Sequence, residues 1–191
     1  DSSQSRGLGD VYKRQADITP AWSFNGFISG DTSATIAYTG RNYNTANVTS
    51  ANLITVSGLS ITSVAGSNSS APEDYVLDST TKTANATITP KTVSLAVAPK
   101  VYDASTNMTG YVSITTGVGS ETLTYNGATS NDAHVATTGK YLNAITLGNA
   151  SDGSGGLASN YQLPTLNVTN APITITPKTV SLAVAPKVYD A

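Results

Sequence analysis

"TITPKTVSLAVAPKVYDA" runs from Thr87 to Ala104 and recurs without a change from Thr174 to Ala191, 87 residues further on. An identical stretch at that spacing marks an internal repeat, and the repeat decides how the rest of the chain is read. Inside it, Thr92 to Ala98 (TVSLAVA) alternates Val93, Leu95 and Val97 with Ser94 and Ala96. That period of two turns one face inward and predicts a strand. Pro90-Lys91 precedes the strand and Pro99-Lys100 follows it. Proline withholds a ladder donor and lysine resists desolvation, so both pairs read as gatekeepers that keep a nearly uncharged strand from recruiting another chain.

Weaker echoes keep nearly the same spacing. GFIS at Gly26 answers GYVS at Gly110, YTG at Tyr38 answers YNG at Tyr125, and DYVL at Asp74 answers NYQL at Asn160. The expected division is an incomplete first β module over 16–87, a complete one over 88–174, and the opening strand of a truncated third over 175–191. Residues 1–15 stand apart. Arg6, Lys13 and Arg14 fall there, yet ADITPAWSF after them is broken by Asp17 and Pro20 and lacks the apolar run of a secretory signal. DVYKRQ, Asp10 to Gln15, resembles the translated transposon end used to fragment DNA for sequencing. The expectation is a non-native, disordered tail on a metagenomic fragment.

Charged residues are only 12% of the chain, and Thr, Ser and Asn take their place. Without the tail, seven basic and ten acidic residues remain with no basic cluster, which argues against nucleic acid as a partner because that affinity rests on neutralising phosphates. No stretch approaches the length of a membrane helix, so no membrane contact is expected within this fragment. Cysteine is absent, and no disulfide framework can form.

Within 88–174 the order of signals is all-β. GYVSITTG reads as a strand, and ETLTYNGA as another that ends in a tight hairpin at Asn126-Gly127, with Leu123 and Tyr125 facing the core. TTGKYLNAITLG sets Gly139 two residues before Tyr141 and then alternates through Ile145 and Leu147. A Gly-x-Tyr at the start of a late strand fits the tyrosine corner of immunoglobulin-like sandwiches, whose hydroxyl reaches backbone. NASDGSGG reads as a flexible loop, NYQLPTLNV as a strand interrupted or ended by Pro164, and APITI as a closing strand. No apolar period of 3.6 persists, so almost no helix is expected. The architecture expected is tandem small antiparallel sandwiches, with a continuous β-solenoid as the alternative. Thr176-Pro177-Lys178 forms a short joint that proline stiffens, which favours a semi-rigid rod of modules.

The chemical inventory is thin. His134 in NDAHVATTG lies two residues from Asp132, but no Gly-x-Ser-x-Gly elbow accompanies them. The carboxylates are scattered apart from Glu73-Asp74, and SDGSGG lacks the ligand spacing of a calcium loop. No catalytic, cofactor or metal residue is expected. Asp103 and Asp190, in the repeated VYDA, suit the start of a turn where the carboxylate accepts a backbone N–H two positions on, with Tyr102 beside it as an anchor. For the lysines a second reading is covalent: in some surface adhesins a buried lysine condenses with an asparagine into an isopeptide cross-link.

ITPKTVSLAVAPKVYDAS resembles the opening of the YDG-type repeat domains found in tandem in large bacterial exoproteins of the filamentous-haemagglutinin class. SNYQL followed by ITPK resembles their closing segment, and the related MBG modules share a Gly-x-Tyr before a late strand. On this resemblance the motif residues are Lys100, Val101, Tyr102 and Asp103, repeated as Lys187, Val188, Tyr189 and Asp190, with Tyr75, Tyr141 and Tyr161 at the matching positions near strand starts. Where the family has glycine after Tyr-Asp, this chain has Ala104, and alanine tolerates a left-handed backbone poorly. The resemblance implies β-rich spacer or stalk units, secreted or at the bacterial cell surface. Their partners would be neighbouring modules and host or environmental surface ligands, and no cofactor or catalytic residue is implied. The alternative is an accessory glycan-binding module attached to an extracellular enzyme.

Overall fold

The computed structural model describes residues 20–187. The expected tail over 1–15, and Val188, Tyr189 and Asp190 of the repeated motif, lie outside the described residues. What is described is all-β, in short strands with two single-turn 3₁₀ segments, Pro72–Asp74 and Ala158–Asn160. The chain divides into two compact units, one ending at Lys91 and the other beginning at Thr92.

The first unit is one long β ribbon with a third strand added. β1 (Asp31–Ala37) pairs antiparallel with β4 (Ser60–Gly66), and β2 (Gly40–Tyr43) pairs with β3 (Leu53–Ser57). The register runs on from Ala37 opposite Ser60 to Gly40 opposite Ser57, bridged by the Thr39 N–H donating to Ser57 O at 3.0 Å. β5 (Thr81–Asn85) lies along the other edge of β3. Alternation decides what is buried along β3: Ile54 and Val56 turn inward, and Ala51, Leu59 and Ile88 are buried in the same unit.

In the second unit the opening strand is split. β6 (Lys91–Thr92) pairs with β12 (Tyr161–Gln162), and β7 (Ser94–Val97) pairs antiparallel with β9 (Val112–Thr115). Val93, between the two pairings, is 2% exposed. β10 (Thr124–Ser130) pairs antiparallel with β11 (Leu142–Gly148). The β13 (Ile175–Thr176) and β8 (Lys100–Val101) pair departs from the antiparallel expectation, the two lying parallel. Leu95, Val97 and Val112 from one ribbon meet Tyr125, Ala128, Leu142 and Ile145 from the other around fully buried Met108, with Ile173 and Ile175 closing the side. Two facing antiparallel ribbons over one core give the unit its sandwich-like character.

The hairpin expected at Asn126-Gly127 is not formed. β10 runs straight through both residues, and the ladder shifts register between Asn126 and Thr129. Gly127 has φ +63°, so it supplies the left-handed residue of a bulge inside a strand, where an Asn-Gly pair has the same backbone freedom as in a turn. Leu123 and Tyr125 do pack inward. β12 stops two residues before Pro164, as a proline that cannot donate requires.

Candidate functional site

The repeated motif builds a turn around a buried cation. Lys100 is 2% exposed, so it is no solvated gatekeeper. β8 pairs with β13 at this point and carries the side chain inward, because Val101, the next residue, takes the outer face. Its ammonium donates to Ser105 O and Asn107 O, each at 2.8 Å, and meets Asp103 Oδ1 at 2.8 Å. All three N–H groups are thereby used, which is what burial of an ammonium demands. No asparagine side-chain carbonyl is among its hydrogen-bond partners, so the isopeptide geometry is not met at Lys100.

Asp103 performs the turn role read from the sequence. Its Oδ1 accepts the Ser105 N–H at 3.0 Å, and its partner Lys100, then this N–H, hold its carboxyl below the ordinary 3.8. Between them Ala104 sits at φ +62°. The left-handed backbone that alanine disfavours is therefore kept. Two charge-assisted bonds on one side and the Ser105–Asn107 carbonyls on the other leave the chain no other path, and the strain is carried by the surroundings. Tyr102 packs its ring against the core, with the His134 ring 6.0 Å from its centroid.

Lysine burial recurs at a position the sequence reading passed over. Lys140, 9% exposed, donates to Val135 O at 3.0 Å and to Thr137 O. The signal was weak, since Gly-Lys-Tyr reads as an ordinary exposed strand start. Beside it Asp132 Oδ1 accepts the His134 backbone N–H at 2.6 Å, the largest cause of that carboxyl's lowered pKa, so the Asp-His spacing closes an Asx turn and leaves the imidazole exposed. The NASDGSGG segment is closed by the same device. Asp152 accepts the Thr122 hydroxyl at 2.7 Å and the Ser154 N–H at 3.0 Å, and its carboxyl falls to about 2 with the Thr122 bond as first cause.

The tyrosines sort differently from expectation. Tyr141 joins the closing segment through a bridge to Pro172, and its N–H donates to Asn131 Oδ1 at 2.9 Å. In the second unit a hydroxyl that bonds distant backbone is that of Tyr125, which accepts from Gly110 N at 2.9 Å and Val112 N at 3.2 Å. Tyr75 and Tyr161 are true counterparts. Each follows a 3₁₀ turn, and each hydroxyl donates to a carboxylate of its own unit: Tyr75 to Asp31 at 2.5 Å and Tyr161 to Glu121 at 2.6 Å. Tyr75 is raised and Asp31 lowered by this shared bond, with Ser70 Oγ adding a second bond to Asp31 at 2.7 Å.

Among the described residues no three His, Cys, Asp or Glu side chains gather as a metal would need. In the first unit Trp22, Phe24, Phe27, Ile36, Tyr75 and Leu77 line a groove of about 360 Å³. Thus the structure brings Lys100, Tyr102 and Asp103 into one turn, leaves Val101 on the outside, and places Tyr75, Tyr141 and Tyr161 at separate points; Lys187 belongs to a segment with no strand. Comparison with protein-family models, with curated proteins and with solved structures returned no match.

Proposed function

We propose that the chain is a repeat region of a large bacterial surface or secreted adhesin-like protein, of the YDG and MBG type, and that its modules act as semi-rigid spacers with weak adhesion of their own. The observation that carries this reading is the recurrence of one structural device in both units: a strand ribbon, then a 3₁₀ turn, then a tyrosine tied to a carboxylate. The polar groups of the second unit support it. Lys100, Asp103, Asp132 and Asp152 are all engaged in turns or ion pairs that hold the fold. A spacer needs modules that close their own cores and a joint with few free torsions, and Thr-Pro-Lys supplies proline's fixed φ at that joint.

Small-angle scattering of the full chain tests it. An extended particle with a narrow spread of lengths is expected, and a freely jointed distribution would overturn the spacer role. A second reading, an accessory glycan-binding module, is favoured by Trp22, Phe24 and Phe27 on the rim of one groove. Retention on immobilised polysaccharide that is lost in Trp22→Ala would support that reading instead.

A further inference from the structure

The strand that opens the second unit and the strand that closes it are hydrogen-bonded directly to each other. β8 follows β7 after only Ala98 and Pro99, and β13 runs up to Pro177. The two pair in parallel, Ile175 opposite Lys100 and Thr176 opposite Val101. The Lys100 N–H donates to Thr174 O at 3.0 Å, the Tyr102 N–H donates to Thr176 O at 2.9 Å, and Thr176 Oγ1 donates to Lys100 O at 3.4 Å.

Direction gives this pair a mechanical consequence. Tension along the chain draws β8 toward its N-terminal end and β13 toward its C-terminal end. In an antiparallel pair those two ends lie side by side, and the ladder would unzip one bond at a time. In a parallel pair they lie at opposite ends, so the bonds that cross from strand to strand are loaded together in shear.

The side chains decide what a slip would cost. Because they alternate between faces, a slip of one residue turns Lys100 outward and Val101 inward. Lys100 is 2% exposed, with its ammonium on Asp103, Ser105 O and Asn107 O, and Ile175 across from it is 5% exposed in the core. The turn that holds the ammonium is itself fixed to β10: the Ser130 N–H donates to Thr106 O and the Met108 N–H to Ala128 O, each at 2.8 Å. Drawing β8 along β13 therefore pulls a buried ammonium away from an anchored set of oxygens, a step that costs far more than parting two exposed strands.

We infer that the β8–β13 pair is a shear clamp, latched by Lys100, through which the second unit bears tension along the chain. This goes beyond a spacer role and does not depend on it, since it rests on the direction of one strand pair within one unit.

Single-molecule pulling on the full chain tests it. The chain has no cysteine of its own, so pairs of introduced cysteines fix where the force enters. Ala98, Val101 and Lys178 are all exposed. Handles on A98C and K178C draw the strands in opposite senses and load the pair in shear. Handles on V101C and K178C pull from the end that the two strands share and unzip it. At one loading rate the shear geometry should rupture at about twofold higher force or more, because two main-chain bonds bear the load together in one case and in turn in the other. Equal forces, or a weaker shear geometry, would overturn the clamp. Adding Lys100→Met should bring the shear force down toward the unzipping force. An equal proportional drop in both geometries would show that the lysine acts on stability alone, and would overturn its role as the latch.

Discussion

Thr92–Ala98 and Thr179–Ala185 have the same seven residues in two different states. The first is laddered to β9 along Ser94–Val97 and buries Val93 to 2% exposure; the second has no ladder, and Val180 is 85% exposed. Intrinsic preference is identical in both, so the difference lies wholly in what surrounds them. A strand of alternating valine and leucine is a surface that fits a pleated, half-buried environment, and it becomes a strand only where another edge and a core receive it.

The largest effect expected from that comparison is in amide exchange. In the dilute monomer, Ser94–Val97 should exchange slower than Ser181–Val184 by about three orders of magnitude or more, since one set opens only with its unit and the other opens freely. Equal rates would break the comparison outright. Mutation should follow the same line. Val93→Ala should destabilise the second unit by about 2 kcal/mol in a denaturant melt, whereas Val180→Ala should stay within about 0.5 kcal/mol of the parent. A similar loss in both would mean that the terminal copy is packed.

The lysines sharpen it further. Lys100→Met leaves Ser105 O and Asn107 O without their donor and should cost about 2 kcal/mol, while Lys187→Met, on a segment without a strand, should be neutral in the same melt. Ala104→Gly should go the other way and stabilise by about 1 kcal/mol, because glycine accepts φ +62° without the Cβ clash. A destabilising result would show that the turn is not strained. The smallest effect is in pH. Asp103 is held below 3.8, so its stabilising contribution is complete above that value and is lost as pH falls through its lower folded pKa. Protection around Lys100–Val101 should therefore weaken on acidification below about pH 4, and exchange in Thr179–Ala185, corrected for intrinsic rate, should not change.

Much of the candidate site was legible because its chemistry is local. An aspartate two residues before a free N–H closes an Asx turn from its own segment, so Asp103 could be placed from VYDA alone. Lys100 could not. Whether an ammonium is solvated or buried depends on Ser105 and Asn107 folding back over it and on β13 arriving from far along the chain. Ala104 followed from the same event: taken alone it argues against a left-handed turn, and only the lysine clamp overrides the preference.

By itself, then, the sequence determined the all-β class, the repeat and its period, and the inward set of Val93, Leu95, Leu123 and Tyr125, because side-chain alternation and exact recurrence are properties of the chain read one residue after another. Only the tertiary structure decided that Asn126-Gly127 bulges rather than turns, that Tyr125 and not Tyr141 bonds distant backbone, that β8 and β13 run parallel, and that one of two identical strands is formed while the other is not. Each of these depends on a partner edge remote in sequence, and a hydrogen-bonding backbone takes its conformation from the partner that satisfies it.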